Sequence, residues 1–101
     1  MSERLATAVR VRLVGRRWKV GFLKDLTASL DSLLGGETLV RINSFIAQPS
    51  NLPITDIDIF AEKVGSLSEI RRSVEDVLEK HGYPLGRLLT VKQVHTSIAT
   101  G

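Results

Sequence analysis

Residues 54–60 read ITDIDIF, and this stretch decides how the middle of the chain is built. β-branched and aromatic residues alternate with two acids at a period of two, the pattern of a strand with unlike faces. Ile57 and Ile59 point one way, Asp56 and Asp58 the other. The pattern predicts a strand over ITDIDIFAEKV, residues 54–64. Upstream, QPSNLP separates it from a second such stretch, TLVRINSFIA at 38–47. Two prolines, an asparagine and a serine are turn formers, so the two strands are expected to make a hairpin.

Helical periodicity flanks this pair on both sides. Phe22, Leu23, Leu26, Leu30, Leu33 and Leu34 form a 3.6-residue stripe that predicts a helix over 20–34, stopped by Gly35 and Gly36. After the hairpin, Ser66 with Glu69 three residues later has capping-box spacing. Ile70, Val74, Val77 and Leu78 carry the apolar stripe that follows. His81 sits in the last turn, and Gly82 with Pro84 ends the helix. Outermost lie two further strand patterns, TAVRVRLV at 7–14 and LLTVKQVHTSIA at 88–99.

The order is βαββαβ. Right-handed crossovers in both βαβ units place two helices on one face of a four-stranded antiparallel sheet. The expected fold is therefore an α/β (α+β) two-layer sandwich of ferredoxin-like topology, strand order 4-1-3-2, as a single domain over 1–101. A local competitor is a tight hairpin at Gly15–Arg16 within LVGRRWKVGF, which would add a strand and shorten the first helix.

Composition restricts the chemistry. The 101 residues are 43% hydrophobic and 25% charged, values typical of a globular domain. There is no cysteine, which excludes disulfides, thiolate nucleophiles and cysteine metal sites and fits a reducing compartment. No apolar run approaches the ~20 residues of a membrane span, and arginines interrupt the apolar residues at the start. The expectation is a cytoplasmic protein without a membrane partner. Net charge is +3, unevenly spread. Residues 1–24 hold seven cations against Glu3 alone, so the remaining 77 residues are net acidic. Such asymmetry points to an anionic partner or to self-association.

In the 4-1-3-2 order the first and third strands are neighbours. With Val9, Val11 and Leu13 turned to the helices, Arg10 and Arg12 share the open face with Asp56 and Asp58. Cross-strand ion pairs are the expected result, and they would fix the register. Arg41, Asn43 and Phe45 from the second strand and Phe60 from the third join them. Arg10, Arg12, Arg41, Phe45 and Phe60 form a candidate face for a protein partner or a second copy of the chain, in line with fold-level analogy.

Two other sites are worth naming. Arg16, Arg17 and Lys19 flank Trp18 in the loop before the first helix, and cations around an aromatic suit phosphate contact with base stacking. This loop is the candidate for an anionic or nucleic-acid partner. The second concerns NSFIAQPSNLPITDIDIF, residues 43–60, which is similar to the signature of minimal nucleotidyltransferases. There a Gly-Ser turn precedes an Asp-x-Asp strand. The resemblance implies Ser44 at the phosphates of a nucleoside triphosphate, with Asp56 and Asp58 holding Mg²⁺ or Mn²⁺. Asn43 stands where that family has glycine, and residues 88–99 contain no acid to supply its third carboxylate.

Neither His81 nor His95 has a nucleophile and an acid at suitable spacing, so no catalytic residue is assigned. The sequence reads as a small non-enzymatic binding or regulatory module without a cofactor, self-associating through its open sheet face or an edge. A metal- and triphosphate-binding nucleotidyltransferase-like domain and a nucleic-acid-binding protein are the alternatives.

Overall fold

The computed structural model describes the backbone of residues 2–100 and the side chains of residues 6–97. Glu3 and Arg4, which enter the charge count above, lie outside the described side chains. Strands β1 (Ser2–Val14), β2 (Leu39–Ala47), β3 (Leu52–Phe60) and β4 (Leu88–Thr100) form one antiparallel sheet in the order β2-β3-β1-β4. Helices α1 (Val20–Leu33) and α2 (Leu67–Lys80) cover one face. This is the ferredoxin-like two-layer arrangement expected from the βαββαβ order.

The core forms where the two periodicities meet. Val9, Val11, Leu13, Ile57 and Ile59 supply the sheet side; Phe22, Leu26, Leu30, Val74 and Leu78 supply the helix side, all with no solvent exposure. Each such side chain contributes about 1.5–3 kcal/mol by leaving water. The Ser66 hydroxyl accepts the Glu69 backbone N–H at 3.3 Å, so α2 begins at its predicted cap. By contrast, α1 begins after Lys19 with no side-chain cap.

Several boundaries differ from expectation. No hairpin forms at Gly15–Arg16: β1 ends at Val14, and residues 15–19 run as a loop into α1. Gly15 makes this turn at φ 136° while its N–H donates to the Pro53 carbonyl at 2.8 Å. A Cβ there would lie 2.9 Å from the Trp18 ring, so glycine is needed for both conformation and space. β3 stops at Phe60 rather than 64, because residues 61–66 are needed to turn the chain into α2. Leu33 is exposed although it fits the α1 stripe; it borders a groove between α1 and α2, while Leu34 just beyond the helix takes the place in the core. A 3-10 turn at Leu85–Arg87, unread in the sequence, leads into β4.

β1 starts at residue 2, five residues earlier than its pattern suggested, and pairs with β4 as far as Ser2–Thr100. Only its later part, Ala8–Val14, pairs with β3. The β1–β4 ribbon therefore runs past the end of β3.

Candidate functional site

The register places Arg10 opposite Asp58 and Arg12 opposite Asp56, on the shared face that the alternation of both strands predicted. Each pair is bidentate. Arg10 donates from Nε and Nη2 to the two Asp58 oxygens at 2.8 and 3.0 Å. Arg12 donates from Nε and Nη2 to the two Asp56 oxygens, both at 2.8 Å. A planar guanidinium fits a carboxylate in this way, and the fork makes the contact directional.

Arg41 on β2 completes the set. Its Nη2 donates to Asp58 Oδ2 at 3.0 Å. It also donates to Thr96 Oγ1 at 3.2 Å and, through Nη1, to the Ser97 carbonyl at 3.4 Å. These last acceptors belong to β4, three strand positions away, so the overhanging β1–β4 ribbon coils back across the open face. Phe45 lies under the Arg12 guanidinium at 5.6 Å and Phe60 under that of Arg41 at 5.2 Å. Cation and ring attract in this geometry. The side chains form a diagonal ladder: Phe45, Arg12, Asp56, Arg10, Asp58, Arg41, Phe60. It borders a hollow of about 330 Å³.

The face expected to be open is thus closed over its acids. Asp56 and Asp58 are only 5% and 3% exposed. Burial pushes the Asp58 carboxyl up; the hydrogen bonds and charges of Arg10 and Arg41 more than reverse this, leaving it below the ordinary carboxylate range. Arg10 is held above its usual value, first by its hydrogen bond to Asp58 and against its own desolvation. Among the described residues, no buried side-chain polar atom lacks a partner. Three guanidiniums against two carboxylates leave the ladder one positive charge in excess.

The residues of the nucleotidyltransferase-like pattern do not converge. Ser44 pairs with Thr55, and Asn43 with Asp56. Residues at adjacent positions point to opposite faces, so Ser44 lies on the helix side and both aspartates on the other. The Ser44 hydroxyl contacts Thr55 Oγ1 at 3.1 Å. Among the described residues no cluster of three or more His, Cys, Asp and Glu is placed to hold a metal.

The basic loop divides in two. Arg16 and Arg17 are exposed, whereas Trp18 is turned inward. Its ring is stacked on Phe22 at 5.2 Å, edge-on to Tyr83 at 5.0 Å, and covered by the Arg87 guanidinium at 5.4 Å. Its Nε1–H donates to Thr55 Oγ1 at 3.0 Å, and Thr55 in turn donates to the Gly15 carbonyl at 2.6 Å. Lys19 donates its backbone N–H to the Tyr83 hydroxyl and its ammonium to the His81 carbonyl.

Two features had no local sequence signal. Asp25 on α1 meets His81 Nε2 at 2.7 Å and Lys80 Nζ at 3.1 Å, clasping the helices together across more than fifty residues of sequence. These partners, His81 foremost, hold the Asp25 carboxyl below its ordinary value. The other is β2. Nine large hydrophobic residues are exposed among those described; Leu39, Val40, Ile42 and Ile46 are on β2, and Leu52 lies across its hairpin.

Comparison with protein-family models, with curated proteins and with solved structures finds no match.

Proposed function

We propose that this chain is a small non-enzymatic binding or regulatory module that self-associates through its sheet at the β2 side. The supporting observation is the clustering of exposed aliphatic residues on one edge strand. Val40, Ile42 and Ile46 follow the core residues Ile59 and Ile57 in register, yet are 41–47% exposed at the edge of the sheet. An apolar surface that continues the core is the kind a partner covers. The polar ladder beside it supplies rigidity and orientation, since its hydrogen bonds are made within the fold. A cytoplasmic setting belongs to the same reading and rests on the cysteine-free composition.

The enzyme alternative requires acids free to take a metal. Here both carboxylates are engaged by guanidiniums, and Ser44 faces away from them. The nucleic-acid alternative keeps one favourable observation, the exposed Arg16–Arg17 pair.

Sedimentation velocity over a concentration series tests the proposal. The expected result is a reversible monomer–dimer equilibrium that strengthens with concentration and persists in moderate salt, because the contact is apolar. A monomer at every concentration would remove self-association from the reading.

A further inference from the structure

We infer that the second copy adds to the β2 edge itself, strand against strand, in an antiparallel pairing centred on Asn43 that joins two four-stranded sheets into one of eight. This rests on the self-association reading and specifies its geometry. The two edges of the sheet differ in how they are guarded. Exposed edges are normally protected by lysine, proline, short length or a bulge. β4 carries Lys92, Gln93 and His95, and its pairing with β1 is interrupted by a register shift at Arg12/Leu13. β2 has nine residues in unbroken register, with neither lysine nor proline. Its one charge, Arg41, is folded inward onto Asp58.

The strand is also nearly self-complementary. A two-fold axis perpendicular to the sheet keeps like faces together, so opposing residues must share parity. Centred on Asn43, Leu39–Ala47 pairs over its full length, and any shift of the axis leaves residues unpaired. On the helix side Val40 meets Ile46 of the second copy, and Ile42 meets Ser44. On the other side Arg41 meets Phe45 and the two Asn43 residues face each other. No like charges oppose.

The helix layer explains why the occupant is another copy and not a lone strand. α1 packs on β3 and leaves a groove of about 710 Å³ over the start of β2, bordered by Thr27, Ala28, Leu39 and Val40. An added peptide strand would extend the sheet but leave that apolar floor open. A second copy brings its own α1. The two β3 strands would then lie three spacings apart, roughly 14 Å, while a helix with its side chains is about 10–12 Å across. The paired helices nearly meet and cover the floor.

The absence of cysteine makes the test direct, since one engineered thiol reports one position. Under mild oxidation Asn43→Cys should form a covalent dimer, because directly opposed Cα atoms are ~4.5–5.5 Å apart and within disulfide range. Ser44→Cys should not, because the two Ser44 positions are offset by two residues and lie roughly 8 Å apart. In the cysteine-free wild-type background, Ile42→Lys should shift sedimentation to monomer while its far-UV spectrum stays native. That combination supports the β2 pairing. A dimer that resists Ile42→Lys, or in which Asn43→Cys and Ser44→Cys cross-link alike, overturns this geometry while leaving self-association standing. A wild-type protein that stays monomeric, with Asn43→Cys no more readily cross-linked than Ser44→Cys, overturns both.

Discussion

Asp58 shows how a charge on a sheet face becomes structural. On an exposed face a cross-strand pair is worth about 0.2–1 kcal/mol. Here the acid is 3% exposed and held by two arginines, so removing its charge strands guanidiniums that are themselves partly buried. Asp58→Asn should cost about 2 kcal/mol, less than a fully buried pair because Arg10 and Arg41 retain access to water. Arg10→Ala should be non-additive with it by more than ~0.5 kcal/mol in a double-mutant cycle of urea denaturation; strict additivity would show the contact to be energetically empty. The pH dependence follows in sign. The carboxyl is below its ordinary value in the fold, so the unfolded chain takes up the proton at higher pH. The stabilisation is complete above the unfolded value of about 4 and is lost as pH falls through the folded one. Asp58→Asn should therefore flatten the acid limb of the stability curve. The same engagement predicts that Mg²⁺ or Mn²⁺ with any nucleoside triphosphate leaves the melting temperature unchanged; a rise that disappears in Asp58→Asn would show that metal displaces the arginines.

Among the elements, legibility in the sequence tracked how local the deciding interaction was. α2 was readable from its cap at Ser66 to its stop near Gly82, because hydroxyl, stripe and glycine act within a few residues of one another. The shared face of Arg10, Arg12, Asp56 and Asp58 was readable because they alternate with core residues, whereas the pairing register was not, since a two-residue shift would change every partner and turn no side chain over. The start of β1 leaves no local signal, since Ser2–Ala6 lacks alternation and is strand only by pairing with β4, nearly a hundred residues away. β2 is the most instructive case. Its alternation of Val40, Ile42 and Ile46 looks like that of a covered strand, yet a pattern states which side is apolar and not whether a helix arrives to cover it. Helix placement follows from the packing of α1 on β3 and of the two helices on each other. Asp25 with His81, and Arg41 reaching Thr96, depend on the same tertiary geometry and left no trace in local spacing.

Across the whole molecule, folding redistributes the charge that the chain concentrates at its start. Of the seven cations in residues 1–24, Arg10 and Arg12 are consumed by the ladder, and Lys19 is tied to the His81 carbonyl and the Tyr83 ring. Arg16 and Arg17 are exposed beside α1, without the stacking surface that single-stranded nucleic acid needs, since Trp18 is held by Phe22, Tyr83 and Arg87. Attraction without stacking has a distinct signature. Binding to a single-stranded oligonucleotide should be weak, indifferent to base identity and steeply salt-dependent, with the Trp18 fluorescence unchanged on titration. Arg16→Ala/Arg17→Ala should reduce the slope of log affinity against log salt by about 1.4, the release of two counterions at about 0.7 each. Quenching of the single tryptophan, or a preference among bases that survives the double substitution, would instead mean that Trp18 leaves its cluster to stack. The surface would then be a recognition site in its own right, and the sheet edge would have to share the molecule with it.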